Sequence, residues 1–85
     1  MTMTPEQLKT ASISQIARAI QNDCGDKMPY GASPYVQAML TMNKATDSFG
    51  LDDGKSIINY ALCNLQSWRG QTARDCKAEL KRRLK

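Results

Sequence analysis

Residues 54–68, GKSIINYALCNLQSW, decide the fold. Ile57, Ile58, Ala61, Leu62, Leu65 and Trp68 recur at intervals of three and four, the spacing that gathers side chains on one face of a helix. The stretch predicts a helix that follows a loop closing at Gly54, with Asp52 and Asp53 as acids near its N-terminus, and is ended by Gly70. Nothing elsewhere reads as a strand, because Val36 is the only valine and the five isoleucines fall at helical rather than alternating positions. The expected architecture is all-α, a small single-domain bundle over residues 1–85. It has four helices, or five if its first segment is broken.

That first segment starts well. Thr4, Pro5 and Gln7 supply a capping hydroxyl, a proline at the first helical position and an amide to return the hydrogen bond. Leu8, Ile13, Ile16, Ala17 and Ile20 follow as one broad apolar stripe, yet Ser12 with Gln15 is a second capping box, so both one helix and two remain open. Gly25 is the stop signal. Residues 26–33 read as a loop ending in a Ser33 cap, with Pro34 opening a largely apolar helix that ends near Ala45. In the acidic loop that follows, Phe49 and Leu51 are the expected plugs. Thr72 with Asp75 resembles a cap for a last, surface helix whose narrow apolar line is Ala73, Cys76, Leu80 and Leu84.

With 41% hydrophobic residues, the chain has the composition of an ordinary globular domain. A domain of this length buries only about 60–65% of its unfolded surface, which leaves one thin core and little room for a deep cleft. Twelve Lys and Arg against eight Asp and Glu give a net charge of +4, and there is no histidine. Without histidine the Ser-His, Cys-His and His-zinc arrangements are unavailable, and the paired carboxylates Asp52-Asp53 and Asp23/Asp26 sit where helix capping explains them. Neither enzymatic activity nor a cofactor is expected. Cys24, Cys63 and Cys76 form no C-x-x-C pair, and their odd number cannot close fully into disulfides. Cys63 and Cys76 are expected as inert thiols on apolar helix faces, in a reducing cytoplasm. No apolar run is long enough to span a membrane, and no signal-peptide pattern is present, so no membrane partner is expected.

The charge is local. From Arg69 onward seven cations face two acids, so the last helix carries +5 and everything before it −1. Arg74, Lys77, Lys81 and Lys85 line one flank of its apolar seam and form a candidate phosphate-binding flank, although cations near a helix C-terminus also serve the macrodipole. Trp68, Arg69, Gln71, Thr72 and Arg74 bring an indole, two guanidiniums, a hydroxyl and an amide to one helix corner. Such a set would stack a base or grip a phosphate; the alternative is a core tryptophan closing the apolar stripe. Two further patterns fail on spacing. ISQIARAI at 13–20 looks like the first half of a helix-turn-helix, but the next helix begins about a dozen residues on. Gly50 and Gly54-Lys55-Ser56 are one residue short of a phosphate loop and lack a preceding strand.

PYVQAML, FGLDDGKSIINYAL and WRGQTARDCKAEL, within residues 30–84, together resemble short helical proteins of tailed phages and prophages. The resemblance rests on Pro34-Tyr35, Asp52/Gly54, Trp68-Arg69-Gly70 and Ala73-Arg74, and carries no activity to transfer. It implies a non-enzymatic protein that inhibits a host or anti-phage defence factor, by covering a protein surface or by sequestering a phosphorylated nucleotide. A nucleic-acid-binding accessory role through the basic last helix is the alternative. A thin core and five methionines also suit a homodimer or higher oligomer.

Overall fold

The computed structural model describes residues 4–49 and 52–84. Five α-helices account for most of it: α1 (Pro5–Thr10), α2 (Ile13–Cys24), α3 (Ser33–Met39), α4 (Gly54–Asn64) and α5 (Gln71–Leu84). The fold is all-α. A short antiparallel ladder, β1 (Ser48–Phe49) with β2 (Asp52–Asp53), pairs Ser48 with Asp53 and Phe49 with Asp52, an addition that alternating hydrophobicity does not announce. The expected plugs cannot be placed: the side chain of Phe49 and all of Leu51 lie outside the described residues.

The first segment is two helices. Thr4 and Gln7 form a reciprocal capping box at α1, and Ser12 and Gln15 form a second one at α2, so Ala11 and Ser12 are extended and the chain turns there. The elbow is held from outside as well. The Ile13 and Ser14 amides donate to the carbonyls of Asn43 and Met42 at 2.9 and 2.8 Å, giving two of α2's otherwise unpaired N–H groups a tertiary partner. Gly25, at φ 52°, ends α2 as expected and leads into a 3-10 turn over Gly25–Lys27.

Four helix boundaries differ from the sequence reading. Ser33 is not the cap of α3: Ala32 is the N-cap, and the Pro29 carbonyl accepts from the Ala32 and Ser33 amides, so the chain enters the helix through a turn. α3 stops at Met39 rather than near Ala45. The Leu40 amide is shared between the Val36 and Gln37 carbonyls, and the Thr41 and Met42 amides reach back only three residues, which tightens the chain into the turn that α2 grips. α4 stops at Asn64 rather than Gly70. The Leu65 and Trp68 amides again bond three residues back, and this turn swings Trp68 out of the helical stripe toward α2. At the other end of the corner, α5 begins at Gln71, so Thr72 lies inside it and is no cap.

One core joins these elements. Leu8 of α1, Ile13, Ile16, Ala17 and Ile20 of α2, Val36 and Met39 of α3, Ile57, Ile58 and Ala61 of α4, and Ala73, Cys76 and Leu80 of α5 are all buried. The Cα radius of gyration of 11.4 Å matches the roughly 12 Å expected of a domain this long. The last helix is not peripheral: α5 packs against α1, α2 and α4, and Glu79 is buried with its apolar line. No described helix is long and apolar enough to cross a membrane.

Gly54 is where the acidic loop meets the core. A Cβ there would collide with the carbonyl oxygens of Asp47 and Ala45 and with the Met42 methyl, so only glycine lets α4 start against the 45–47 turn. At Gly31, by contrast, a Cβ would meet only the end of the Asn64 side chain. Urea unfolding should therefore show Gly54→Ala to be destabilised by about 1–3 kcal/mol or more, with Gly31→Ala much closer to the parent.

Candidate functional site

The Trp68–Arg74 corner proves to be a clamp. Trp68 is only 8% exposed, and its indole N–H donates to a carboxylate oxygen of Asp23 at 2.6 Å. Its carbonyl accepts from the Lys77 ammonium at 2.6 Å, and that ammonium also lies 5.8 Å from the centre of the ring. Trp68 therefore ties the end of α2 to α5 and is no platform on which a base could stack. Asp23, which helix capping seemed to explain, is the partner of the indole. Arg69, Gln71 and Arg74 are exposed and Thr72 is half-buried, while the Gln71 amide donates to Asp75 at 2.8 Å. Asp23, Lys27, Trp68 and Arg69 line a groove of about 230 Å3, in which the charges are mixed.

The basic flank is divided by the same contact. Burial, followed by the charges of Lys81 and Arg69, holds the Lys77 ammonium below the ordinary lysine range. Lys77 and Lys81 border a groove of about 360 Å3 between α4 and α5, whose other walls include Leu62, Cys63 and Leu84. Arg74 and Lys81 are exposed on α5; Lys85 lies outside the described residues. At the far end of the helix, Glu79 is buried beneath two arginines. Burial raises its carboxyl, but hydrogen bonds and charge from Arg82 and Arg83 outweigh this and hold it below its usual range. Arg83 Nε lies 2.6 Å from Glu79 Oε2, and its Nη2 donates to the Leu8 and Lys9 carbonyls at the end of α1.

A third and larger cleft, about 720 Å3, was not apparent from the sequence. It runs between the α1–α2 elbow, the 43–46 turn and the end of α5, and its walls include Lys9, Ser12, Lys44, Thr46, Arg82 and Arg83. Its cations come from three separate elements, and no spacing along the chain brings them together. The only local signal was the second capping box, which makes the elbow.

The thiols are not alike. Cys24 and Cys76 are buried, and burial, reinforced by nearby carboxylates, pushes Cys76 up to about 12 and Cys24 in the same direction. Cys63 is exposed, contrary to its expected place on an apolar face, because its position on α4 borders the open groove beside α5. Among the described residues no group of three or more His, Cys, Asp or Glu could hold a metal ion. Comparison with protein-family models, curated proteins and solved structures returns no match.

Two measurements check this description. Titration of the native protein with an aromatic disulfide should show one thiol reacting quickly, removed by Cys63→Ser, with the other two protected until unfolding. Glu79 and Asp47 both have depressed carboxyls, Asp47 because the Lys44 and Asn43 amides bond to it. Stability should therefore be fully present above their ordinary values of 4.5 and 3.8 and be lost as pH falls through the lower folded values. Glu79→Gln should be less stable at neutral pH and show a shallower acid limb in thermal melts.

Proposed function

We propose that the chain is a non-enzymatic binding protein that holds an anionic ligand or partner surface, and that it acts on a host or defence factor in the host cytoplasm. One observation supports this above the others. The acids of α5 are already engaged, Glu79 by Arg82 and Arg83 and Asp75 by Gln71, while Arg74 and Lys81 stand exposed and without ion-pair partners among the described residues. Cations of this kind give little to the fold, because exposed pairs are worth roughly 0–1 kcal/mol and unpaired ones less. They favour encounter with a negative partner instead. The absence of histidine and the buried state of Trp68 both fit binding better than catalysis or base stacking. The resemblance to short phage proteins supplies the host-directed part of the reading, and self-association would multiply the charged face.

The exposure of Arg74 and Lys81, seven residues apart on one helix, also favours a second reading in which α5 lies along a nucleic-acid backbone. Native capture from host cells, followed by identification of both proteins and small molecules, separates the two. The leading reading expects a partner that the wild type retains and Arg74→Glu/Lys81→Glu loses. The second expects duplex or single-stranded oligonucleotide to bind at about 50 mM salt and to weaken by about a thousandfold or more near 200 mM. An oligonucleotide affinity that is flat across that range would remove it.

A further inference from the structure

We propose that the cleft between α1, the 43–46 turn and the end of α5 binds a nucleotide-sized organic phosphate, with Lys9, Lys44 and Arg82 on the phosphate groups. The proposal rests on the anion-binding reading above and adds to it a site and a ligand class. The cleft is shallow and open to solvent, and its volume, about 720 Å3, falls within the roughly 300–1,000 Å3 of small-molecule sites.

Charge selects the ligand. Four cations line the cleft, and no Asp or Glu does. Buried Glu79 offsets one of them, and Asp47, bonded to the Asn43 and Lys44 amides, offsets another, which leaves an excess of two. Lys9 and Lys44 have no ion-pair partner among the described residues. Like charges gathered around one cleft repel, and a bound phosphate of charge near −2 relieves that repulsion. Arg82 uses Nε and Nη2 on Glu79, so its guanidinium plane is fixed and its Nη1 edge remains for a ligand.

The walls are held in advance. The Asn43 and Met42 carbonyls are bonded to the α2 amides, and Arg83 is bonded to the end of α1, so the three cation-bearing elements are tied together before any ligand arrives. The Ser12 hydroxyl accepts from the Gln15 amide and shares a second hydrogen bond with the Ser14 hydroxyl, and the Thr10 hydroxyl donates to the Gln7 carbonyl, so both are engaged within the protein. The Asn43 side chain and the Thr46 hydroxyl have no partner among the described residues. They stand in the same wall as Lys44, where they can bond to the sugar or base of a nucleotide.

Isothermal titration of the full chain with ATP, inorganic pyrophosphate and adenosine at about 50 mM salt tests the site. ATP and pyrophosphate should bind saturably and adenosine should not. Lys9→Ala/Lys44→Ala should weaken ATP by about tenfold or more, while Arg18→Ala, at an exposed position on α2 outside every groove described above, leaves it within about twofold. Because both lysines are exposed, the double variant should melt no lower than the parent, so loss of binding will not be loss of fold. Absence of ATP and pyrophosphate binding overturns the proposal. So does ATP binding that survives Lys9→Ala/Lys44→Ala and is lost in Lys77→Ala/Lys81→Ala, a result that leaves the anion-binding reading standing and moves it to the other groove. An oligonucleotide duplex that binds more tightly than ATP and is weakened by Lys9→Ala/Lys44→Ala also overturns it, in favour of nucleic acid.

Discussion

Beside their apolar packing, the first and last helices are locked in register by one arginine. Arg83 bonds through Nε to the buried carboxylate of Glu79 and through Nη2 to the Leu8 and Lys9 carbonyls at the end of α1, the first of which also accepts from the Ala11 amide. A buried ion pair is weak evidence for stability, since the cost of desolvating both charges can match the gain. Its effect here is on register. Only one placement of α1 against α5 satisfies the carboxylate and the two carbonyls together, and that placement brings Lys9 and Arg82 to the same cleft.

Two more polar ties follow the same plan. The Met42 and Asn43 carbonyls close on the start of α2, and Trp68 closes on Asp23 and Lys77. Each tie joins a helix end or a turn to a distant element, where a small domain has little apolar surface to hold it. The core supplies most of the driving force, but the ties decide where the connections lie. Since the connections carry Lys44, Arg69 and the elbow at Ser12, they also decide what the surface presents.

This division explains what the sequence could show. Leu8, Ile13, Ile16, Ala17, Ile20, Ile57, Ile58, Ala61, Leu65, Ala73, Cys76 and Leu80 were all legible as core and all are buried, because burial follows from spacing along one helix. The capping boxes at Thr4 and Ser12 were legible for the same reason, their partners being three residues away. The ends of α3 and α4 were not. Met42 and Trp68 leave their helices because α2 offers amides to one and Asp23 to the other, and neither partner is near in sequence. The candidate site failed in the same way. Trp68 and Lys77 looked like surface chemistry while their partners were unknown, and the cleft at Lys9, Lys44 and Arg82 has no sequence spacing to reveal it.

Whether residues 5–24 form one helix or two was the point at which local signals disagreed, and the site hangs on it. A single helix through Ser12 would satisfy the Ile13 and Ser14 amides internally and release the Met42 and Asn43 carbonyls. The 43–46 turn would then lose its anchor, and with it the wall that carries Lys44. Ala11 and Ser12 are instead extended, and Ser12 gives the second helix a cap of its own. The break forfeits the continuous hydrogen bonding of one long helix. In exchange it opens a concave surface on a domain whose size leaves little room for a deep one.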